Sequence, residues 1–160
     1  MSGSIVCGVD GSADSQAAVA FAAQLASRLG ARLVLANVAE SAHIAYAAAA
    51  PFGGGAVPMA VTEEIDAQEE AAERLLEQVA GEFGLPDAKR RVVVGLPGER
   101  LAELADEEDA EFVVVGSRGR GAFKAAFLGS VSNSLVGVAR CPVLIVPPGA
   151  AETRFDRPEK

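Results

Sequence analysis

The sequence has few of the residues on which metal binding, triad hydrolysis and nucleic-acid stacking depend. It contains no tryptophan, one tyrosine, one histidine and two cysteines. His43 lies in an alanine-rich stretch with no ligand cluster at metal spacing, so we expect no metal site and no Ser-His-Asp hydrolase. Cys7 and Cys141 each lie within or beside an apolar run, which predicts two buried free thiols and no disulfide.

The chain also lacks a membrane-length apolar run and a positive net charge. No stretch approaches the roughly 20 uninterrupted apolar residues that span a bilayer, and the N-terminus has no basic region or apolar run typical of a secretory signal. We therefore expect a cytoplasmic protein with no membrane partner. A formal net charge of −8 over 160 residues and the scarcity of aromatic side chains argue against a nucleic-acid partner.

Short apolar runs alternate with amphipathic stretches along the chain. Strands are predicted at residues 4–10, 32–38, 91–95, 112–116 and 143–146. Helices are expected between them, the first capped by Ser12 and the second by Thr62. Because each strand is almost continuously apolar, the pattern predicts an α/β fold: one doubly wound domain whose parallel five-stranded sheet is covered by helices on both faces.

The boundaries of this domain are predicted at residues 1–148, with a polar, frayed tail at 149–160. The connection 39–61 is longer than most loops in a compact domain, which indicates either a mobile flap or a disordered spacer. Ligands of doubly wound sheets bind at the carboxyl ends of the strands, where the strand order reverses. Asp10 ends the first strand and Gly116 the fourth, so the two share a crevice if the order is 3-2-1-4-5. The residues alone leave that order open.

A glycine-rich segment, GSRGRGAFKAAFLGS at residues 116–130, follows the fourth strand. Gly116, Gly119 and Gly129 allow the backbone to approach a ligand closely, so that main-chain N–H groups can point at an anion. Ser130 then begins a helix, and a helix N-terminus offers unpaired N–H donors together with about half a positive charge. These features predict a phosphate site.

The charge pattern supports this prediction. Residues 112–151 contain no Asp or Glu, although the whole chain is acidic. Arg118, Arg120, Lys124 and Arg140 all lie in this stretch. A local basic segment in an acidic protein favours a small anion such as a mononucleotide. The alternative is a solvated flexible loop, because one glycine motif is weak evidence.

These residues resemble the nucleotide-binding branch of the universal stress protein family. The signature of that branch is Gly, two residues, Gly, nine residues, Gly and then Ser or Thr, which Gly116, Gly119, Gly129 and Ser130 match without a gap. The opening IVCGVDGS and the closing ARCPVLIVPP are also similar to family stretches. The resemblance implies an adenine nucleotide alpha hydrolase-like domain with strand order 3-2-1-4-5, and ATP as the ligand.

The resemblance also implies a role for each site residue. Asp10 is expected to hold polar groups of the ribose or adenine, and Val9 and Val38 to present backbone groups to adenine. The phosphates are expected to contact Gly116, Arg118, Gly119, Gly129, Ser130, Val131 and Ser132. No catalytic residue is assigned.

Three functions are compatible with this sequence. The leading one is a regulatory or sensory stress-response protein that binds ATP, with little chemistry, because no catalytic base is evident. The second is slow ATP hydrolysis, with Asp10 or Ser130 helping to bind Mg²⁺ and Arg118 or Arg120 stabilising phosphate charge. The third is an interaction module that binds cyclic AMP or no nucleotide. We expect a homodimer through Val143 to Val146, since an apolar edge strand invites pairing.

Overall fold

The structure, a computed structural model, describes residues 3–40, 59–118, 128–148 and 150. Strands and helices alternate along this part of the chain. The strands are β1 (Ser4–Gly8), β2 (Arg32–Ala39), β3 (Lys89–Val94), β4 (Ala110–Gly116) and β5 (Val143–Val146). The helices are α1 (Ala13–Leu29), α2 (Met59–Glu82), α3 (Pro97–Glu107) and α4 (Ser130–Val138).

The five strands form one parallel sheet in the order β3-β2-β1-β4-β5, which confirms the predicted fold and strand order. β1 pairs with β2 on one side and β4 on the other, so the order reverses at β1. The carboxyl ends of β1 and β4 therefore lie side by side, and β5 forms an edge of the sheet.

Alternate residues of each strand pack on opposite faces of the sheet. In β1, Ile5 and Cys7 pack in a cluster that includes residues of α1 and α2, whereas Val6 packs on the other face with residues of α3 and α4. This places helices on both faces, as predicted. Both cysteines are free, but only Cys7 is fully buried and Cys141 is half-buried. Burial raises the pKa of the Cys7 thiol to about 12, so it stays protonated at neutral pH.

The first helix begins and ends where its sequence predicts. The Ser12 hydroxyl accepts a hydrogen bond from the Ser15 N–H at 3.2 Å, and Gly30 closes the helix in the left-handed conformation at φ 64°. The predicted start of the second helix at Thr62 is wrong, because α2 begins at Met59. Met and Ala are good helix formers, so the helix extends almost one turn further toward its N-terminus.

At the end of the sheet where the strands begin, one buried carboxylate pairs with two partly exposed cations. The Glu108 carboxylate is buried and accepts hydrogen bonds from Lys89 Nζ at 2.8 Å and from Arg91 Nη1. The Ser4 hydroxyl donates to the Glu108 carbonyl at 2.6 Å. Burial alone would raise the pKa of Glu108, but the hydrogen bonds and positive charges of Lys89 and Arg91 lower it below its ordinary value. This end is stabilised from within the protein, and it is opposite the end where a ligand is expected.

Candidate functional site

A cleft of about 860 Å³ lies at the carboxyl ends of β1, β2 and β4. Its position over the strand-order reversal is where ligands of such sheets bind, and its volume is typical of small-molecule sites. The strand ends contribute Gly8, Val9, Asp10, Ala36, Asn37, Val38, Ala39, Val115 and Gly116. The helices and their flanking residues contribute Ser15, Gln68, Ala71, Ala72, Leu75, Pro97, Leu101, Leu128, Gly129, Ser130, Val131 and Ser132.

One wall of the cleft is the end of β2. The last residue of β2 that pairs with β1 is Ala36, opposite Gly8, and β2 continues for three more residues to Ala39. Beyond Ala36 the side of β2 that faces β1 is no longer paired with it. Asn37 and Val38 therefore border the cleft on that side. Small apolar residues of α2, Ala71 and Ala72 with Leu75, line the cleft as well. Together they form an apolar slot in which a flat ring could pack.

Val9 has fewer free backbone groups than the sequence led us to expect. Its N–H donates to the Ala36 carbonyl at 2.8 Å, and its carbonyl accepts a hydrogen bond from Asn37 Nδ2 at 2.7 Å. Val9 is also almost fully buried. Only the second lone pair of its carbonyl stays open to a ligand. Val38 lines the cleft beside it.

Asp10 is held in a fixed orientation beyond the end of β1. Its Oδ1 accepts a hydrogen bond from the Ser12 N–H at 2.8 Å, and its own N–H donates to the Ser15 hydroxyl at 3.1 Å. Gly11, at φ 81°, makes the turn into α1. Within the described part of the chain nothing donates to Asp10 Oδ2. That oxygen can therefore accept a hydrogen bond from a ligand hydroxyl.

The two ends of the glycine-rich segment are fastened together. The Gly129 N–H donates to the Ser117 carbonyl at 2.8 Å, and the Ser132 hydroxyl donates to the Gly116 carbonyl at 3.1 Å. Ser132 is buried, so its hydroxyl holds the two ends of the segment together and is not offered to a ligand. Gly119 lies outside the described residues, as do Arg120 and Lys124.

No side chain of the described residues caps the N-terminus of α4. Gly129 is the N-cap residue, at φ −64° and ψ 166°. The Asn133 N–H makes the first intrahelical bond, to the Gly129 carbonyl at 3.0 Å. None of the described residues accepts a hydrogen bond from the backbone N–H groups of Ser130, Val131 and Ser132, and all three residues line the cleft. The free backbone N–H groups and the positive end of the helix dipole together make this turn suitable for binding an anion.

Asp14, which the sequence analysis does not single out, contacts the glycine-rich segment without lining the cleft itself. It lies in the first turn of α1, and its Oδ2 accepts hydrogen bonds from the Ser117 hydroxyl at 2.8 Å and the Arg118 N–H at 3.0 Å. The Arg118 guanidinium is 3.7 Å from the same oxygen. The Arg118 backbone N–H is therefore already engaged within the protein.

The charge and metal-binding capacity of the cleft follow from these residues. Among the described lining residues, Arg118 is the only cation, whereas Asp10 and Glu40 are acidic. No group of three or more His, Cys, Asp or Glu within the described ranges is placed to hold a metal ion.

None of the described helices is long and apolar enough to cross a membrane.

An open doubly wound sheet with a cleft over its strand-order reversal defines a class of α/β domains that bind small ligands at that position. The model of the universal stress protein family matches residues 1–147, and the chain belongs to this family. A universal stress protein of Thermus aquaticus is 32% identical over 142 residues, which cover 89% of this chain and 96% of the relative. The chain spans less than half the length of the mycobacterial relatives it matches.

Solved structures of the family have the same fold. Universal stress protein UspA from Lactobacillus plantarum matches with a TM-score of 0.73 at 22% identity, over 90% of this chain and 97% of that one. A universal stress protein crystallised in complex with cAMP matches with a TM-score of 0.57 at 31% identity, over 90% of this chain and 95% of that one. The first likeness concerns the fold, and the second is to a relative whose crystal structure contains a nucleotide.

Proposed function

We propose that this chain binds an adenine nucleotide in the cleft and acts as a regulatory or sensory protein of the stress response, with ATP as the favoured ligand. The observation that supports the proposal best is that the Asp10 carboxylate and the uncapped first turn of α4 line the same cleft. A carboxylate suits ribose hydroxyls, and a helix N-terminus suits phosphates. A nucleotide carries both ribose hydroxyls and phosphates, so a cleft that offers a carboxylate and a helix N-terminus suits it.

The proposed pose follows from the chemistry of the walls. The adenine ring packs in the apolar slot, where the open β2 edge at Val38 offers backbone groups and the carbonyl of Val9 offers its remaining lone pair. The ribose hydroxyls donate to Asp10 Oδ2. The phosphates accept hydrogen bonds from the first turn of α4, with further contacts from Gly116, Arg118, Gly119 and Gly129. We assign no catalytic residue, and Mg²⁺ would enter with the triphosphate.

Asp10→Asn is expected to weaken ATP binding about fivefold to tenfold, because its one side-chain oxygen stays with the Ser12 N–H and an NH2 group, which cannot accept a hydrogen bond from a ribose hydroxyl, replaces Oδ2. The amide oxygen can still accept from the Ser12 N–H, so the turn into α1 is retained. Calorimetric titration with ATP measures the change. Asp87→Asn is the matched control, since Asp87 is exposed in the turn before β3. Equal affinities of both variants and the wild type would remove Asp10 from the site.

Cyclic AMP is the second candidate ligand. The related protein at 31% identity was crystallised in complex with cAMP. Titration of the same preparation with both nucleotides ranks them directly. Phosphate release above background with ATP would add slow hydrolysis to the proposed function.

We also propose that the protein forms a homodimer through β5. This strand is at the edge of the sheet, and Val143, Leu144 and Ile145 are only partly buried. Val136 and Val138 on α4 are exposed as well. Pairing of two β5 strands would cover this apolar edge. Light scattering at micromolar concentration is expected to give the mass of a dimer, and a monomeric mass would contradict the proposal.

A further inference from the structure

The Asp14 carboxylate lies at the entry of the segment proposed to bind phosphate. Its Oδ2 accepts a hydrogen bond from the Arg118 backbone N–H at 3.0 Å and lies 3.7 Å from the Arg118 Nε, so it occupies the backbone donor and offsets part of the guanidinium charge. The Asp14 side chain is 13% exposed, so its charge is poorly screened by solvent. An internal carboxylate thus already compensates the one cation among the described lining residues of the cleft.

Asp14 cannot readily move away from this position. Its backbone lies against Gly116, and a carboxylate in the first turn of a helix is stabilised by the helix dipole. Its Oδ2 is also fixed by the Ser117 hydroxyl at 2.8 Å. The carboxylate therefore stays beside Ser117 and Arg118, from where its charge acts on a phosphate bound to this segment.

The repulsion between Asp14 and a nucleotide grows with the charge of the phosphate group. Cyclic AMP carries a single negative charge, and ATP carries several. Asp10 and Glu40 also line the cleft and add to the negative field, but Asp10 is expected to contact the ribose and Glu40 is exposed. Asp14 is the carboxylate that contacts the phosphate-side segment directly.

We propose that Asp14 is an internal counter-ion of Arg118 that sets the nucleotide selectivity of the cleft by phosphate charge. It lowers the affinity for a free triphosphate more than the affinity for a nucleotide with one phosphate charge. Asp14 is not among the residues that line the cleft, so it is a positioning residue that acts without touching the ligand: its charge offsets that of Arg118 and repels phosphate. This inference rests on the proposed nucleotide-binding function.

The test compares Asp14→Asn with the wild type. The asparagine side-chain oxygen can still accept from the Ser117 hydroxyl and the Arg118 N–H, so the variant removes the charge and keeps the hydrogen bonds. Dissociation constants for ATP without divalent cation and for cyclic AMP are measured by calorimetry at low salt. We expect the ratio of the ATP constant to the cyclic AMP constant to fall about fivefold in the variant, and the difference to shrink at high salt.

Two further variants make the outcome decisive. Asp87→Asn removes a carboxylate at an exposed turn and is expected to leave the ratio unchanged. Asp14→Ser, a shorter neutral residue, must shift the ratio in the same direction as Asp14→Asn if charge is the cause. Equal changes for both nucleotides, or no change, would overturn the inference and leave the proposed function intact. Failure of the wild type to bind either nucleotide would overturn the proposed function and, with it, this inference.

Discussion

Gly116→Ala is expected to lower the free energy of unfolding by about 3 kcal/mol, the upper range for forcing an extra group into packed protein. A β-carbon at this position would lie 2.7 Å from the carbonyl carbon of Asp14 and 2.8 Å from its oxygen. Both are backbone atoms, so no change of rotamer relieves the clash. The first turn of α1 must move away from the end of β4, which also breaks the hydrogen bonds from Ser117 and Arg118 to Asp14.

Urea unfolding followed by far-ultraviolet circular dichroism measures this effect. Gly137→Ala is the matched control, because a β-carbon there meets no heavy atom of the described residues within 4 Å and the residue lies inside α4. Alanine favours a helix over glycine, so this variant is expected to gain up to about 1 kcal/mol. Similar stability of Gly116→Ala and the wild type would show that α1 and β4 are not closely packed.

The fold was largely predictable because its signals are local. Each apolar run forms a strand, and glycine or a hydroxyl residue marks helix ends, as Gly30 and Ser12 do. The sequence predicts a cap at Thr62, which has the chemistry of a cap residue, but α2 begins earlier, at Met59, because the residues before Thr62 continue the helix. The strand order depended on a resemblance, because no local residue pattern specifies which strands are neighbours.

The candidate site was only partly predictable, because its hydrogen bonds join residues far apart in sequence. Asp14 is 103 and 104 residues from Ser117 and Arg118, and alone it is simply an acidic residue in a first helical turn. The Val9 carbonyl accepts from Asn37, 28 residues away. Gly116 was predicted to admit a ligand, but its close contact with Asp14 gives it a structural role as well. Hydrogen bonds and contacts between residues so far apart in sequence become visible only in the folded structure.

Ser130→Pro is expected to weaken ATP binding about thirtyfold, equivalent to about 2 kcal/mol, the loss of a hydrogen bond to a charged group. Proline removes the Ser130 backbone N–H, which donates to no acceptor among the described residues and which we propose donates to a phosphate. The substitution suits the fold, because proline favours the first position of a helix. Gly129, at ψ 166°, already has the extended conformation that a residue before proline adopts.

Ser130→Ala separates the N–H from the hydroxyl, since alanine keeps the backbone donor and loses only the side-chain oxygen. We expect Ser130→Ala to weaken ATP binding no more than about threefold, because Ser130 is exposed and a neutral hydroxyl contributes less than a charge-assisted backbone donor. Both variants should unfold at nearly the wild-type urea concentration. Equal losses of affinity in the two variants would assign the effect to the hydroxyl, and unchanged affinity in both would mean that phosphate does not accept a hydrogen bond from the Ser130 N–H.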